Sequence, residues 1–345
     1  MKCAIIESYG PASQVLKIAS IDTPDVRENE VLVKQFATSI NPLDCKMRQG
    51  YGRVLLSKMR GFELPLILGR DVAGEVAKVG VAVTNLRVGD KVFGVPGEKS
   101  QGGYAEFVVT TANHVVRMPT SLSFQEAAAL PYVASTVWQA LVEKAGLNPQ
   151  NARNKRVFVQ GGSGGIGSFA IQLLKAWGAY VATTCNKNNM ATVKALGADH
   201  VIDYEVENYA ELLSGFDIAL ETVGGLLEDK SLGILRRDGK GVFVTLIHPL
   251  LRTFDESGLF LGGLKVLLLL GKRKIHARSL GVGQYHWVVY KPCAEALNTV
   301  KDLVEAGKIK PVIDSVYALD NIIEAHEHCE EGRSNGKIIV KLGNL

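Results

Sequence analysis

The stretch QGGSGGIGSF at 160–169 places five glycines between the apolar run VFV at 157–159 and the helical sequence FAIQLLKAWGA. Gly162, Gly164 and Gly167 satisfy G-x-G-x-x-G, with a strand expected before the turn and a helix after it. Glycine inside an element costs roughly 0.5–1 kcal/mol relative to alanine, so a cluster of this kind requires a reason. One glycine can make a tight turn, a second can let the backbone approach a pyrophosphate, and a third can bring helix and strand together. The helix N-terminus adds partial positive charge. A dinucleotide is therefore expected on Gly162, Ser163, Gly164, Gly165, Ile166 and Gly167, in preference to a flexible loop without a ligand.

Which dinucleotide is read at the end of the next strand. NAD sites carry Asp or Glu there for the ribose 2′-hydroxyl, whereas this chain runs Thr184, Cys185, Asn186, Lys187. A carboxylate repels a 2′-phosphate; hydroxyl, amide and ammonium groups accept it. NADPH is the expectation, with Lys187 as ion partner. Taken by itself Lys187 is also compatible with a solvated surface lysine, so the missing acid is the firmer part.

The elements that must hold these residues follow from pattern. The 345 residues are 47% hydrophobic and 21% charged with a net charge of +4, and apart from KRK at 272–274 the cations are scattered, which argues against nucleic acid. The five cysteines (Cys3, Cys45, Cys185, Cys293, Cys329) are an odd number without a CxxC pair. That fits a reducing, cytoplasmic setting and supplies no disulfide framework or zinc lobe. The opening MKCAIIESYG reads as a strand rather than a signal peptide.

Short glycine-punctuated strands predict an irregular β-domain over 1–122. Ser123 with Glu126 reads as a capping box, and Pro131 divides the helical stretch that follows. From Lys155 strands and helices alternate, which predicts an α/β, doubly wound parallel sheet over 123–290. The strands after 291 have no partners of their own, so 291–345 is expected to rejoin the first domain. The apolar segment 258–271 is too short to span a bilayer and contains Lys265. It is expected to be a buried or subunit-interface helix, the alternative being peripheral membrane contact through 258–274, since KRK follows directly. His326 and His328, on a charged terminal helix, are expected to be solvated.

Several stretches together, SINPLDCKMRQG, PLILGRDVAGEVAKVG, VGDKVFG, GGYAEF, AAALPYVASTVWQAL, LGADHVIDY and AGKIKPVID beside the glycine turn, resemble the zinc-less quinone oxidoreductases of the medium-chain dehydrogenase/reductase superfamily. GVFVTLIHP and YHWVVYKP are most similar to the branch of reticulon-interacting and chloroplast-envelope oxidoreductases. The resemblance implies a discontinuous GroES-like domain beside a Rossmann domain, with the nicotinamide in the cleft between them, and a homodimer. It implies hydride transfer from NADPH to a quinone or an α,β-unsaturated carbonyl. It also implies no zinc: Asn41 stands where zinc relatives carry Cys, Arg70 and Asp71 stand for His and Glu, and the third ligand position falls near Tyr132.

Carried over by position, the family's cofactor contacts fall on Pro42, Asp44 and Thr136, on the glycine turn, on Thr184 to Lys187 and on Tyr204. They continue through Thr222, Val223, Thr245, Leu246, Ile247, Tyr285, His286, Trp287 and Lys337. Val223, Ile247 and Trp287 serve equally as core. For catalysis the resemblance offers Asn41 to hydrogen-bond a carbonyl and Asp44 to orient the ribose or relay a proton. Tyr51 is offered to donate a proton or stack on a quinone, with simple packing as its alternative. Arg70 is expected in a structural ion pair, or else neutralising a developing enolate. A reduced quinone also collects protons from solvent, which leaves a general acid dispensable. The alternative reading is an NADPH-binding, membrane-associated or interaction protein with weak or vestigial reductase activity.

Overall fold

Glu30–Ile40 is apolar and β-branched enough to read as a strand, but it is buried along nearly its whole length rather than on alternate residues. Partners on both edges explain this. Val72–Val79 pairs antiparallel along one edge, and Phe107–Thr111 covers the first half of the other. The second half is covered by Lys337–Lys341, with Ile338 opposite Ile40 and Lys341 opposite Ala37. The returning tail therefore completes the N-terminal sheet. That sheet runs Ile313–Ala318, Lys337–Lys341, Glu30–Ile40, Val72–Val79, Lys91–Gly94, Val115–Arg117, and a smaller one orders Leu16–Ser20, Lys2–Ile6, Leu66–Ile67. The computed structural model describes residues 1–97 and 101–343; residues 98–100 of the first domain and 344–345 of the tail lie outside the described residues.

Two compact units result. One comprises Met1–Ala134, Phe254–Leu259 and Pro292–Leu345; the other comprises Ser135–Thr253 and Phe260–Lys291. The first division falls after the Ser123 capping box, which forms with Glu126 N donating to Ser123 Oγ at 3.3 Å and Ser123 N to Glu126 Oε2 at 2.8 Å.

The second unit holds a six-stranded sheet in the order His200–Asp203, Tyr180–Cys185, Arg156–Val159, Ile218–Glu221, Val242–Thr245, Gln284–Trp287, all parallel. Two strand–helix series leave the central strand in opposite directions, which is the doubly wound arrangement. The helix Gly165–Ala176 buries Phe169, Ala170, Ile171, Leu173 and Leu174 against this sheet.

Two expectations are corrected here. The helix Leu250–Ser279 breaks at Gly258 (φ 71°), and its apolar residues beyond the break are largely exposed, so of the two forms expected, a buried or a subunit-interface helix, the structure overturns burial alone. His326 is fully buried, not solvated, because its ring packs edge-on to Tyr104 at 5.5 Å with Nδ1 3.4 Å from Cys45 Sγ. His328 is partly buried and meets the Tyr317 hydroxyl at 3.0 Å.

Burial, with Arg48 adding to it, lowers the His326 pKa from 6.5 to about 3. The unfolded chain then binds the proton more readily than the fold, so this residue's contribution is complete above 6.5 and is lost as pH falls toward 3. His326→Leu is expected to flatten the fall of the urea midpoint between about pH 6.5 and 4 relative to wild type.

Candidate functional site

In the second unit the glycine turn leaves Arg156–Val159 and is tied to the neighbouring strand end. Gly162 N donates to Thr184 O at 2.8 Å, and Gly161 N to the Thr184 hydroxyl at 3.2 Å. The tight turn is made by Gly161 (φ 67°), a residue outside the G-x-G-x-x-G triplet. At Gly162 a Cβ would meet Thr183 Oγ1 at 2.3 Å, and at Gly167 it would meet Gly161 O at 2.1 Å, so both are demanded by packing. Gly164 differs: the one atom near its Cβ position is Gly161 O at 3.7 Å, and its dihedrals (φ −73°, ψ 171°) suit any residue. Ser163, Gly165 and Ile166 beside it are partly exposed. They sit where the first N–H groups of the helix lack intrahelical acceptors.

The carboxyl ends of the fourth and fifth strands gather the next group. Thr222 Oγ1 donates to Gln160 O at 2.7 Å, fastening that strand end to the start of the glycine turn. The organising side chain is Glu221, fully buried, which accepts from Thr245 Oγ1 at 2.7 Å, Val223 N at 2.6 Å and Gly224 N. Thr245 Oγ1 in turn accepts from Ile247 N at 3.0 Å, and Leu246 N donates to Glu221 O at 3.0 Å. Sequence reasoning missed Glu221; its signal is an acid ending the apolar strand IALE. Val223 and Ile247 are exposed, not core, whereas Trp287 is core, its Nε1 donating to Tyr285 Oη at 3.1 Å. Tyr285 is likewise buried and donates to Glu228 at 2.7 Å, while His286 Nε2 lies 2.8 Å from Gln284 Oε1. Thr136 is buried.

At the end of the second strand three neighbours behave differently. The Cys185 thiol is buried, which pushes its pKa up to about 11. Asn186 Oδ1 caps the following turn by accepting from Asn189 N at 3.2 Å. Lys187 is exposed, as is Tyr204, whose N–H donates to Cys185 O at 3.2 Å.

The first unit builds a second polar constellation from Asn41, Asp44, Asp71 and Lys337, all at most 5% exposed. Asn41 precedes the helix Pro42–Arg48, with its N–H donating to Asp44 Oδ2 at 2.9 Å; Gly69 N donates to Asp44 Oδ1 at 3.2 Å. Asp71 collects Asn41 Nδ2 at 2.9 Å, Tyr132 N at 2.7 Å, the Ser39 hydroxyl, and Lys337 Nζ at 3.5 Å. Lys337 also donates to Asn41 Oδ1 and to Ile40 O at 3.4 Å. Burial raises the Asp44 pKa, an effect opposed by the charge of Arg70. Arg70 lies over the Phe62 ring at 4.8 Å and donates to Met47 Sδ at 3.1 Å, so among the described residues its direct contacts are soft and aromatic rather than the ion pair expected. Tyr51 follows the helix with Lys46 Nζ 6.0 Å from its ring, in a loop held by Asp255, which accepts from Val54 N at 3.0 Å. Burial and the Asp255 charge raise the Tyr51 pKa.

These donors do not fit a catalytic zinc, which takes three protein ligands from His, Cys or carboxylate. Arg70 brings a cation, the Asn41 amide is engaged at both ends, and Asp71 is engaged by an ammonium and three neutral donors.

Residues 27–120 match the family model described as "Alcohol dehydrogenase GroES-like domain", and residues 196–340 match the one described as "Zinc-binding dehydrogenase". The mitochondrial NAD(P)H oxidoreductase RTN4IP1 of Danio rerio is 39% identical over 99% of this chain and 91% of its own length. The chain belongs to the medium-chain dehydrogenase/reductase superfamily. As in that superfamily, a GroES-like domain accompanies a Rossmann sheet, and the protein is an oxidoreductase using a nicotinamide cofactor. Another medium-chain relative, the 2-methylene-furan-3-one reductase of Solanum lycopersicum, is 33% identical over 99% of this chain and 79% of its own. Among solved members, the quinone oxidoreductase from Coxiella burnetii superposes with a TM-score of 0.84 at 30% identity, covering 99% of both chains.

Proposed function

We propose that this medium-chain oxidoreductase is a metal-independent reductase that uses NADPH to reduce a quinone or an α,β-unsaturated carbonyl. The observation that carries the reading is Gly164. Neither its dihedrals nor its neighbours require glycine, whereas a diphosphate pressed against the backbone does. When bound, NADPH supplies the hydride. In this reading the N–H groups of Gly165 and Ile166 hold the diphosphate against Gly164, whose own N–H is given to Gly161 O at 3.2 Å, and Lys187 faces the 2′-phosphate. Asn186 offers its Nδ2 hydrogens, since the capping bond engages only its Oδ1. Thr222, fastened to Gln160 O, and Val223, Leu246 and Ile247, held in place through Glu221 and the buried Thr245, line the remainder.

On the substrate side, Asn41 Nδ2 carries a second hydrogen beyond the one given to Asp71, and that hydrogen is offered to a carbonyl. The Tyr51 hydroxyl, protonated at neutral pH as any tyrosine is, offers a second hydrogen-bond donor. Electron-poor quinones and enones accept hydride without the alkoxide stabilisation that a metal provides in alcohol oxidation. The names of the relatives fit both classes, one a quinone oxidoreductase and one a reductase of a methylene ketone.

The test is steady-state oxidation of NADPH and NADH against a quinone and an alkenal, with zinc assayed on the same sample. Turnover with either acceptor and a preference for NADPH supports the reading; stoichiometric zinc or no turnover overturns it. Lys187→Glu is expected to raise KM for NADPH by about 10- to 100-fold, the worth of one charge-assisted hydrogen bond, while leaving NADH little changed.

A further inference from the structure

The helix beyond Gly258 carries two apolar stripes, and the fold accounts for one. Val266 and Leu270 pack against the buried cluster of the nucleotide unit, and Ala277 belongs to it. On the outward side Phe260 is 86% exposed, Leu264 53%, Leu267 70%, Leu268 64% and Ile275 69%. Their spacing, i, i+4, i+7, i+8 and i+15, makes one continuous stripe on a 3.6-residue helix. Isolated exposed leucines are ordinary, but a contiguous row of this kind marks an interaction surface.

Charge identifies the occupant. Residues 260–279 contain Lys265, Lys272, Arg273, Lys274 and Arg278 and no Asp or Glu. Arg273 turns toward the unit's own acids, 3.3 Å from Glu228 and 3.2 Å from Asp229. Lys272, Lys274 and Arg278 are exposed around the end of the apolar stripe. Among the described residues no helix is long and apolar enough to cross a membrane. An outward apolar stripe with cations and no acid matches a helix that lies in the lipid interface, its side chains at the acyl boundary and its ammonium groups among anionic headgroups. A second copy of the chain fits less well, because a two-fold contact sets the same patch against itself and would bring these cations together.

We propose that the outer face of 260–279 docks flat on an anionic lipid surface. The test is co-sedimentation of the full chain with large vesicles of phosphatidylcholine containing about a third phosphatidylglycerol, and with phosphatidylcholine alone. Partition into the anionic vesicles is expected, falling at least about tenfold as salt rises from about 0.05 to 0.5 M. The triple variant Leu264→Gln, Leu267→Gln, Leu268→Gln and the pair Lys272→Glu, Lys274→Glu are each expected to weaken it by about tenfold or more. NADPH oxidation and the melting temperature should stay at wild-type values. Should the triple variant melt early, the charge-reversed pair carries the test by itself. Absence of wild-type binding at low salt, or variants that bind as wild type does, overturns the proposal. So does sedimentation velocity in which the triple variant dissociates a dimer without any vesicle binding, which would assign the face to a second copy.

Discussion

Gly164→Val is expected to fold and melt as the wild type does while binding NADPH at least about 100-fold more weakly, roughly 3 kcal/mol. A side chain here enters open space, the nearest atom being Gly161 O at 3.7 Å, and adopts dihedrals common to all residues. What it obstructs is the approach of a diphosphate to the backbone. Gly167→Ala is the converse. Its Cβ would lie 2.1 Å from Gly161 O and 2.7 Å from Gly162 Cα, so helix and strand must part, at a cost of about 3 kcal/mol. Titration of NADPH fluorescence and thermal melting, run on both variants, separate the two roles. Wild-type affinity in Gly164→Val would remove the nucleotide from this turn.

The second large effect is expected at the ion pair of Asp71 and Lys337, 0% and 5% exposed respectively. Asp71→Ala leaves the ammonium buried with carbonyl acceptors and no carboxylate in contact, at a cost of about 3–5 kcal/mol in urea unfolding of the first unit. Asp71→Asn with Lys337→Met removes both charges and should be markedly more stable than Asp71→Ala, because the penalty comes chiefly from the uncompensated charge. If the double variant were no better than the single, the network would be held by neutral hydrogen bonds, and the ammonium would be a bystander.

The elements with local causes were readable before the structure. The glycine turn, the Ser123 capping box and the alternation of the nucleotide sheet each depend on residues a few positions apart. The rejoining tail was also legible, because unpartnered strands at one end require an open edge elsewhere. What escaped depends on distant neighbours. His326 lies among acids on the helix Ile322–Glu330, and its burial is decided by Cys45, 281 residues away, and by Tyr104. Lys337 reads as a possible cofactor contact until Asp71 and Asn41 are found on its ammonium. Glu221 escaped because an acid at a strand end resembles an ordinary surface carboxylate; only the folded backbone turns Val223 N and Gly224 N toward it. Composition left the apolar helix between burial and an outer contact, because only the fold shows that Val266 and Leu270 alone of its longer apolar side chains beyond Gly258 pack against the core cluster.

The pairing of Ile338 with Ile40 sets an order on synthesis. Five of the six parallel strands fall within Ser135–Thr253, so the nucleotide unit can consolidate while the ribosome is still at work. The opening sheet must meanwhile wait, with one half-edge of Glu30–Ile40 bare and Asp71 lacking its cation, until residues 337–341 have been made. A nascent or prematurely stopped chain therefore presents a sticky β-edge that the finished protein conceals, and chaperone demand should concentrate on that interval.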